Sequence, residues 1–186
     1  MTGPVVLWMF AAVCMFWAIG AYNRLVRLRA RGADAWGSME KQMRKYLPLV
    51  LAHLNLTSVP EVPDPSQLEA LDLPLLWHRL LKELLQLEQT LRATRHFPLK
   101  EGASKGLKAA FDSVLTTWNE LCCAPGDLAG AQVPFELHQE WDAITEKTKS
   151  SVGGLNQILE RYNEAIHQFP ASLIAQAMRF HSVEKI

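Results

Sequence analysis

Gly102-Ala103-Ser104-Lys105-Gly106 is the stretch that most resembles a reaction centre, because it matches G-x-S-x-G. In hydrolases that pattern works when a sharp strand-to-helix turn lifts the serine hydroxyl above a parallel sheet. No strand precedes it here, so the match is expected to be accidental, with Ser104 serving as a helix N-cap. His53, His78, His96, His138, His167 and His181 form no HxH, HExxH or i, i+4 pair, so no metal centre is expected. Cys122 and Cys123 are adjacent and lack the CxxC spacing of zinc and redox sites, while Cys14 sits in an apolar run. Reduced thiols of this kind fit a cytoplasmic compartment. Asn55-Leu56-Thr57 is a glycosylation sequon in form only, since it is expected to face the cytoplasm. No catalytic constellation remains, and neither an enzyme nor a cofactor is expected.

Charge is distributed far more tellingly. Residues 1–23 carry no charged side chain, and then Arg24, Arg27, Arg29 and Arg31 arrive within eight positions. Pro4 to Tyr22 is an uncharged stretch whose helix would rise roughly 28 Å at about 1.5 Å per residue, close to the hydrocarbon thickness of a bilayer. The leading Met-Thr-Gly has no basic residue and no Ala-x-Ala follows the run, so it reads as a retained anchor and not a cleaved signal. Arginines on one flank only place that flank in the cytoplasm, with the amino terminus outside the cell (inner) membrane in a single pass. Residues 1–22 are thus read as the anchor and 23–186 as a cytoplasmic domain. With 19 basic and 19 acidic residues the chain is formally neutral, which argues against nucleic-acid binding. The four arginines are assigned to lipid headgroups.

These residues must be carried on helices. Leu28, Gly32, Trp36, Met39, Met43, Tyr46, Val50 and Leu54 recur at steps of three and four, so one helix is predicted from the apolar run to about Asn55. Pro48 should kink it or end it a turn early. Prolines at 60, 63 and 65 mark a loop, and Ser66-Gln67-Leu68-Glu69 has the form of a capping box opening a second helix, with a possible break at Pro74. That helix is striped by Leu73, Leu76, Leu80, Leu84, Leu87 and Leu91, and a third by Leu107, Phe111, Val114, Trp118 and Leu121. A fourth begins after Pro134, with a stripe from Trp141 through Ile144, Thr148, Val152, Leu155, Leu159, Tyr162 and Ile166 to Phe169. Such spacing suits the low crossing angles of coiled coils and bundles. Gly153-Gly154 interrupts it, and Pro170 closes it before a short amphipathic tail. No alternating segment or Asn-Gly hairpin signal occurs, so the expected fold is all-α: an N-terminal transmembrane helix continuing into a long antiparallel bundle of about four helices.

The two ends of the chain resemble the LemA family of small membrane-anchored helical proteins. At the amino end the match is Tyr22-Asn23-x-Leu25-Val26-x-Leu28-Arg29, then Ala35-Trp36, Met39-Glu40, Gln42-Met43 and Arg44-Lys45. At the carboxyl end it is Tyr162-Asn163, Ile166, Phe169-Pro170, Leu173-Ile174-Ala175 and Phe180, with Asn156 seven residues before Asn163 but Leu155 in place of the family's tyrosine. The chain departs from the family at Pro48–His53, and Thr145 and Val152 stand where a glutamate and an arginine are usual. Residues 57–140 carry no family motif. The resemblance implies a divergent member with an outward amino terminus, an internal helical bundle and no established enzymatic activity.

The expected function is therefore a membrane-anchored scaffold or interaction protein that binds a protein partner, itself or the membrane surface without catalysis. The alternative is an accessory subunit of a membrane protease or quality-control complex, assembled through the span. Tyr22-Asn23 and Tyr162-Asn163 are expected to lock the first helix to the fourth through buried polar contacts, or to line a partner groove between them. Leu25, Val26, Arg29, Trp36, Gln42, Asn156, Phe169 and Pro170 complete the candidate set.

Overall fold

The computed structural model describes residues 3–55, 74–95, 102–124, 133–169 and 171–186. The capping box at Ser66, His96 and Pro170 lie outside them. Every element among the described residues is helical: α1 (Gly3–Met43), α2 (Tyr46–His53), α3 (Leu75–Thr94), α4 (Ala103–Cys123), α5 (Phe135–His167) and α6 (Ala171–Ala177).

α1 runs 41 residues without interruption, a length of about 62 Å. From Val5 to Tyr22 no residue is buried, and large side chains such as Leu7, Trp8 and Phe16 stand in the open. This helix is long and apolar enough to cross a membrane. Beyond Leu25 the same helix buries one face, made of Leu25, Trp36, Met39 and Met43. The turn at Arg44-Lys45 separates α1 from α2, where Lys45 N–H bonds back three residues to the Gln42 carbonyl at 3.1 Å. Its cause is Pro48, which has no N–H to offer the Arg44 carbonyl, so the break falls one turn before the proline.

Two helices open directly after prolines. Pro74 and Pro134 hold extended backbone, and their carbonyls accept the first helical bonds from His78 (3.0 Å) and His138 (3.1 Å). The Pro74 break is thus a helix start. α4 opens at Gly102, whose φ of +81° is a left-handed conformation that suits glycine. Ser104 is not the cap, as the sequence reading had expected; it lies inside the first turn, 1% exposed.

α1 packs mainly on α5, α3 on α4, and α2 bridges α3 and α5. The aromatic centre lies at the α2 junction: Trp118 and Trp141 stack at 4.0 Å and 9°, with Tyr46 tilted against Trp141 at 4.5 Å. Tyr46 donates its hydroxyl proton to Thr145 Oγ1 at 3.0 Å, and Thr145 in turn donates to the Trp141 carbonyl at 2.8 Å, so both buried hydroxyls are satisfied. Burial pushes the Tyr46 phenol above its ordinary range, against the opposing pull of Thr145 and Thr148. Arg44, in the turn between α1 and α2, is tied to α3 through Glu88 (2.6 Å), and Arg79 joins α3 to α4 through Glu120 (2.7 Å). α5 passes through Gly153-Gly154 without a break. Phe169 leaves the expected stripe: α5 ends at His167, and the ring beyond it is 81% exposed.

Candidate interaction site

Residues 22–29 and 162–169 lie where the apolar half of α1 meets the end of α5, whereas Trp36, Gln42 and Asn156 lie farther along the helices. Seam positions come first. Leu25 and Tyr162 are buried between the helices, and Trp36 is buried farther along with its indole N–H unpartnered among the described residues. Burial raises the Tyr162 phenol, and the charge of Arg29 opposes the shift. Gln42 is partly buried and accepts a hydrogen bond from Lys45 at 2.8 Å, within its own turn.

Tyr22 and Asn23 do not lock α1 to α5, which corrects the sequence reading. Tyr22 is 37% exposed and Asn23 is exposed on the outer surface, where its carbonyl accepts from Arg27 Nε at 3.3 Å. For Asn23 the reason is rotational: Ala21, Leu25 and Leu28 turn toward α5 at helical spacing, and a residue two short of Leu25 lies about 160° away. Tyr22, three short of it, sits about 60° off at the edge of that face. Val26 is likewise exposed. Arg24, Arg27 and Arg31 are exposed and meet no carboxylate among the described residues. Arg29 differs, with its guanidinium 5.7 Å from the centre of the Phe180 ring.

A cleft of about 320 Å³ lies just inside this collar, lined by Trp17, Gly20, Ala21 and Arg24 of α1 and by Ala165, Gln168 and Phe169. Its position shows that the α5–α6 turn reaches back to the level of the uncharged segment's last turns. Phe169 (81%) and, on α6, Leu173 (60%) are exposed beside it.

The two asparagines of α5 hold the chain's own last described residues. Asn163 Nδ2 donates to the Val183 carbonyl (2.8 Å), while its Oδ1 accepts the Val183 N–H (3.0 Å). Asn156 does the same to Ile186, at 2.8 Å and 2.9 Å. Between them Lys185 reaches Glu160 at 2.9 Å, a hydrogen bond that holds the Glu160 carboxyl below its usual range. Val183 is buried at 5% exposure, with Phe180 and Ile186 packed against the core on either side.

Sequence reasoning missed residues 183–186 altogether. The available signal was the spacing of Phe180, Val183 and Ile186, an apolar residue at every third position, which an extended chain with three residues per turn also shows. It also missed Glu88, a carboxylate set in a leucine run. Ser104 is closed to solvent, and its hydroxyl has no partner, histidine or other, among the described residues. No group of three His, Cys, Asp or Glu side chains suited to a metal occurs among the described residues. No family model, curated protein or solved structure matches the chain.

Proposed function

We propose that this chain is a single-pass, membrane-anchored helical scaffold of the LemA type. Residues 1–22 form the anchor, with the amino terminus outside the inner membrane. Residues 23–186 form a cytoplasmic antiparallel bundle of about four helices that binds a protein partner or the membrane surface and performs no chemistry. One observation carries the reading: α1 is a single helix whose first half is uncharged, with no buried residue from Val5 to Tyr22, and whose second half is built into the helical core. A soluble protein would leave that first half as an unusually large apolar surface in water, whereas lipid covers it at no cost.

The arginine collar supports the orientation, since Arg24, Arg27 and Arg31 are exposed at the end of the apolar half and meet no carboxylate among the described residues. Cross-contacts support the antiparallel arrangement. Residue 46 meets 145, residue 25 borders the cleft with 165, and residue 79 meets 120. Phe169 and Leu173, exposed at the level of Trp17 to Arg24, support a contact between the α5–α6 turn and the lipid interface.

Photocrosslinking in the native membrane tests this. A diazirine side chain at Phe169 or Leu173 is expected to give lipid adducts, and one on the exposed face of α5 a discrete protein adduct. Recovery of neither, or labelling of Cys123 only from outside the cell, overturns the proposal.

A further inference from the structure

We propose that the face of α5 carrying Asn156 and Asn163 is a receptor for an extended peptide segment of a partner protein, occupied in this structure by the chain's own residues 180–186. The inference deepens the interaction-protein reading by giving the partner a chemistry.

The contacts are of a transferable kind. Each asparagine amide gives a proton to the carbonyl and takes one from the N–H of the same residue. Such a pair reads main chain, which every non-proline residue supplies. Geometry then sets the repeat. Seven residues of α-helix separate the two amides by about 10.5 Å along the axis. Three residues of extended chain cover about 9 to 10 Å. Asparagines two turns apart therefore grip every third residue of an extended strand, here 183 and 186, running antiparallel to α5. Burial follows the same period: Phe180, Val183 and Ile186 turn inward, while His181, Ser182, Glu184 and Lys185 are exposed.

Side-chain selectivity can be read from the same contacts. Arg29 lies over the aromatic ring at the first inward position, and a buried place between the helices takes the branched residue at the second. Glu160 pairs with the basic residue just before the third. The ligand class is thus an extended segment with apolar side chains at three-residue spacing and a lysine or arginine before the last of them. This is the mode in which polyproline-type segments are recognised, with pockets for every third residue and no internal hydrogen bonds to break.

The resident segment is also poorly secured at its root. α6 stops in a Schellman arrangement, with Phe180 N–H bonding the Ala175 carbonyl (2.8 Å) and Arg179 N–H the Gln176 carbonyl (3.3 Å). The left-handed position falls to Arg179 at φ 54°, where glycine is usual. Freeing the segment beyond Phe180 leaves the α6 cap in place and breaks no helix, so a partner segment competes with a tethered ligand at millimolar effective concentration.

The test uses the full chain in detergent micelles and a fluorescent peptide, Phe-His-Ser-Val-Glu-Lys-Ile, followed by anisotropy. Val183→Asp ejects the resident segment by placing a charge in the buried position. The expected result is binding at least about tenfold tighter to the Val183→Asp chain than to wild type, because the receptor is no longer self-occupied. Adding Asn156→Ala and Asn163→Ala to that chain abolishes binding, as does moving valine one place in the peptide. Should Val183→Asp lose its helical circular dichroism, the Ile186→Ser chain gives the same readout. A folded, tail-released chain that takes no peptide at about 1 mM, the scale of the tether itself, overturns the proposal. So does binding indifferent to both asparagines. Either failure leaves lipid crosslinking from Phe169 standing, so the tether and the groove are judged separately.

Discussion

Replacing Glu88 by glutamine should cost about 1–2 kcal/mol, and the reasoning lies in which of its two arginines is exposed. The carboxylate is 8% exposed and accepts from Arg44 at 2.6 Å and Arg92 at 3.0 Å. A fully buried pair broken on one side loses about 3–5 kcal/mol, because a charge is stranded away from water. Neither arginine is stranded here. Arg92 is 59% exposed and lies one turn away on the same helix, which limits its share to a few tenths of a kcal/mol. Arg44 is 32% exposed and keeps Glu40 at 2.8 Å, so its share falls to about 1 kcal/mol. Denaturant unfolding of the chain in micelles, followed by tryptophan fluorescence, measures the loss. The discriminating experiment is the double-mutant cycle with Arg44→Met, which should show a coupling of about 1 kcal/mol between α3 and the α1–α2 turn. A Glu88→Gln chain as stable as wild type, or a loss unchanged in the Arg44→Met background, refutes the view that this bridge fastens α3 to that turn.

Gly153→Ala and Gly154→Ala should each stabilise the fold by up to about 1 kcal/mol, since both sites are exposed within α5 and an added Cβ meets nothing within 4 Å; thermal unfolding of each variant checks it. The Cys122 thiol is pushed up to about 11, chiefly by desolvation and then by Cys123 and Asp142. Because the residue as a whole is exposed, the expected slowing of its alkylation at pH 8 is discounted to about tenfold relative to the same chain in urea, read in a Cys123→Ser background. Glu160 titrates below its ordinary 4.5 because Lys185 bonds its charged form, so its contribution to holding the tail is complete above that pH and drains away as pH falls through the depressed value. Amide exchange at Val183 should therefore quicken on acidification, and Lys185→Met should remove that part of the dependence.

Periodicity made most of the helical framework legible. The stripe from Leu107 to Leu121 is buried at every position, and the α5 start after Pro134 coincides with the structure. Those features depend on local rules, three or four residues at a time. α3 was read too narrowly: Leu81 and Leu85 are buried beside the expected leucines because this helix meets both α2 and α4, and a single-stripe reading assumes one neighbour. Tyr22-Asn23 misled for a different reason. A motif says which residues occur together, but Asn23 lies on the far side of α1 from α5 and Tyr22 only at the edge of the seam, so both are exposed. The tail was invisible because its fastening is to main-chain atoms, which leave no trace in side-chain identity beyond a faint period of three.

One register serves both the core and the groove. Leu155 and Tyr162 lie seven residues apart in the buried seam, and Asn156 and Asn163 follow each of them by a single position. A seven-residue repeat drifts only about 20° on a straight helix, so whatever aligns the first pair against α1 also aligns the second along the tail. The Tyr46–Thr145 bond, a polar contact between α2 and α5 inside an apolar centre, adds to that alignment. Sliding α5 by one turn moves it about 5.4 Å, enough to leave the Tyr46 hydroxyl buried and without its acceptor. The same slip would carry Asn163 past Val183 by more than one residue of extended chain. Thr145 thus helps keep α5 in register with its neighbours, while the seven-residue separation of the two asparagines along one helix sets the spacing at which they grip a strand.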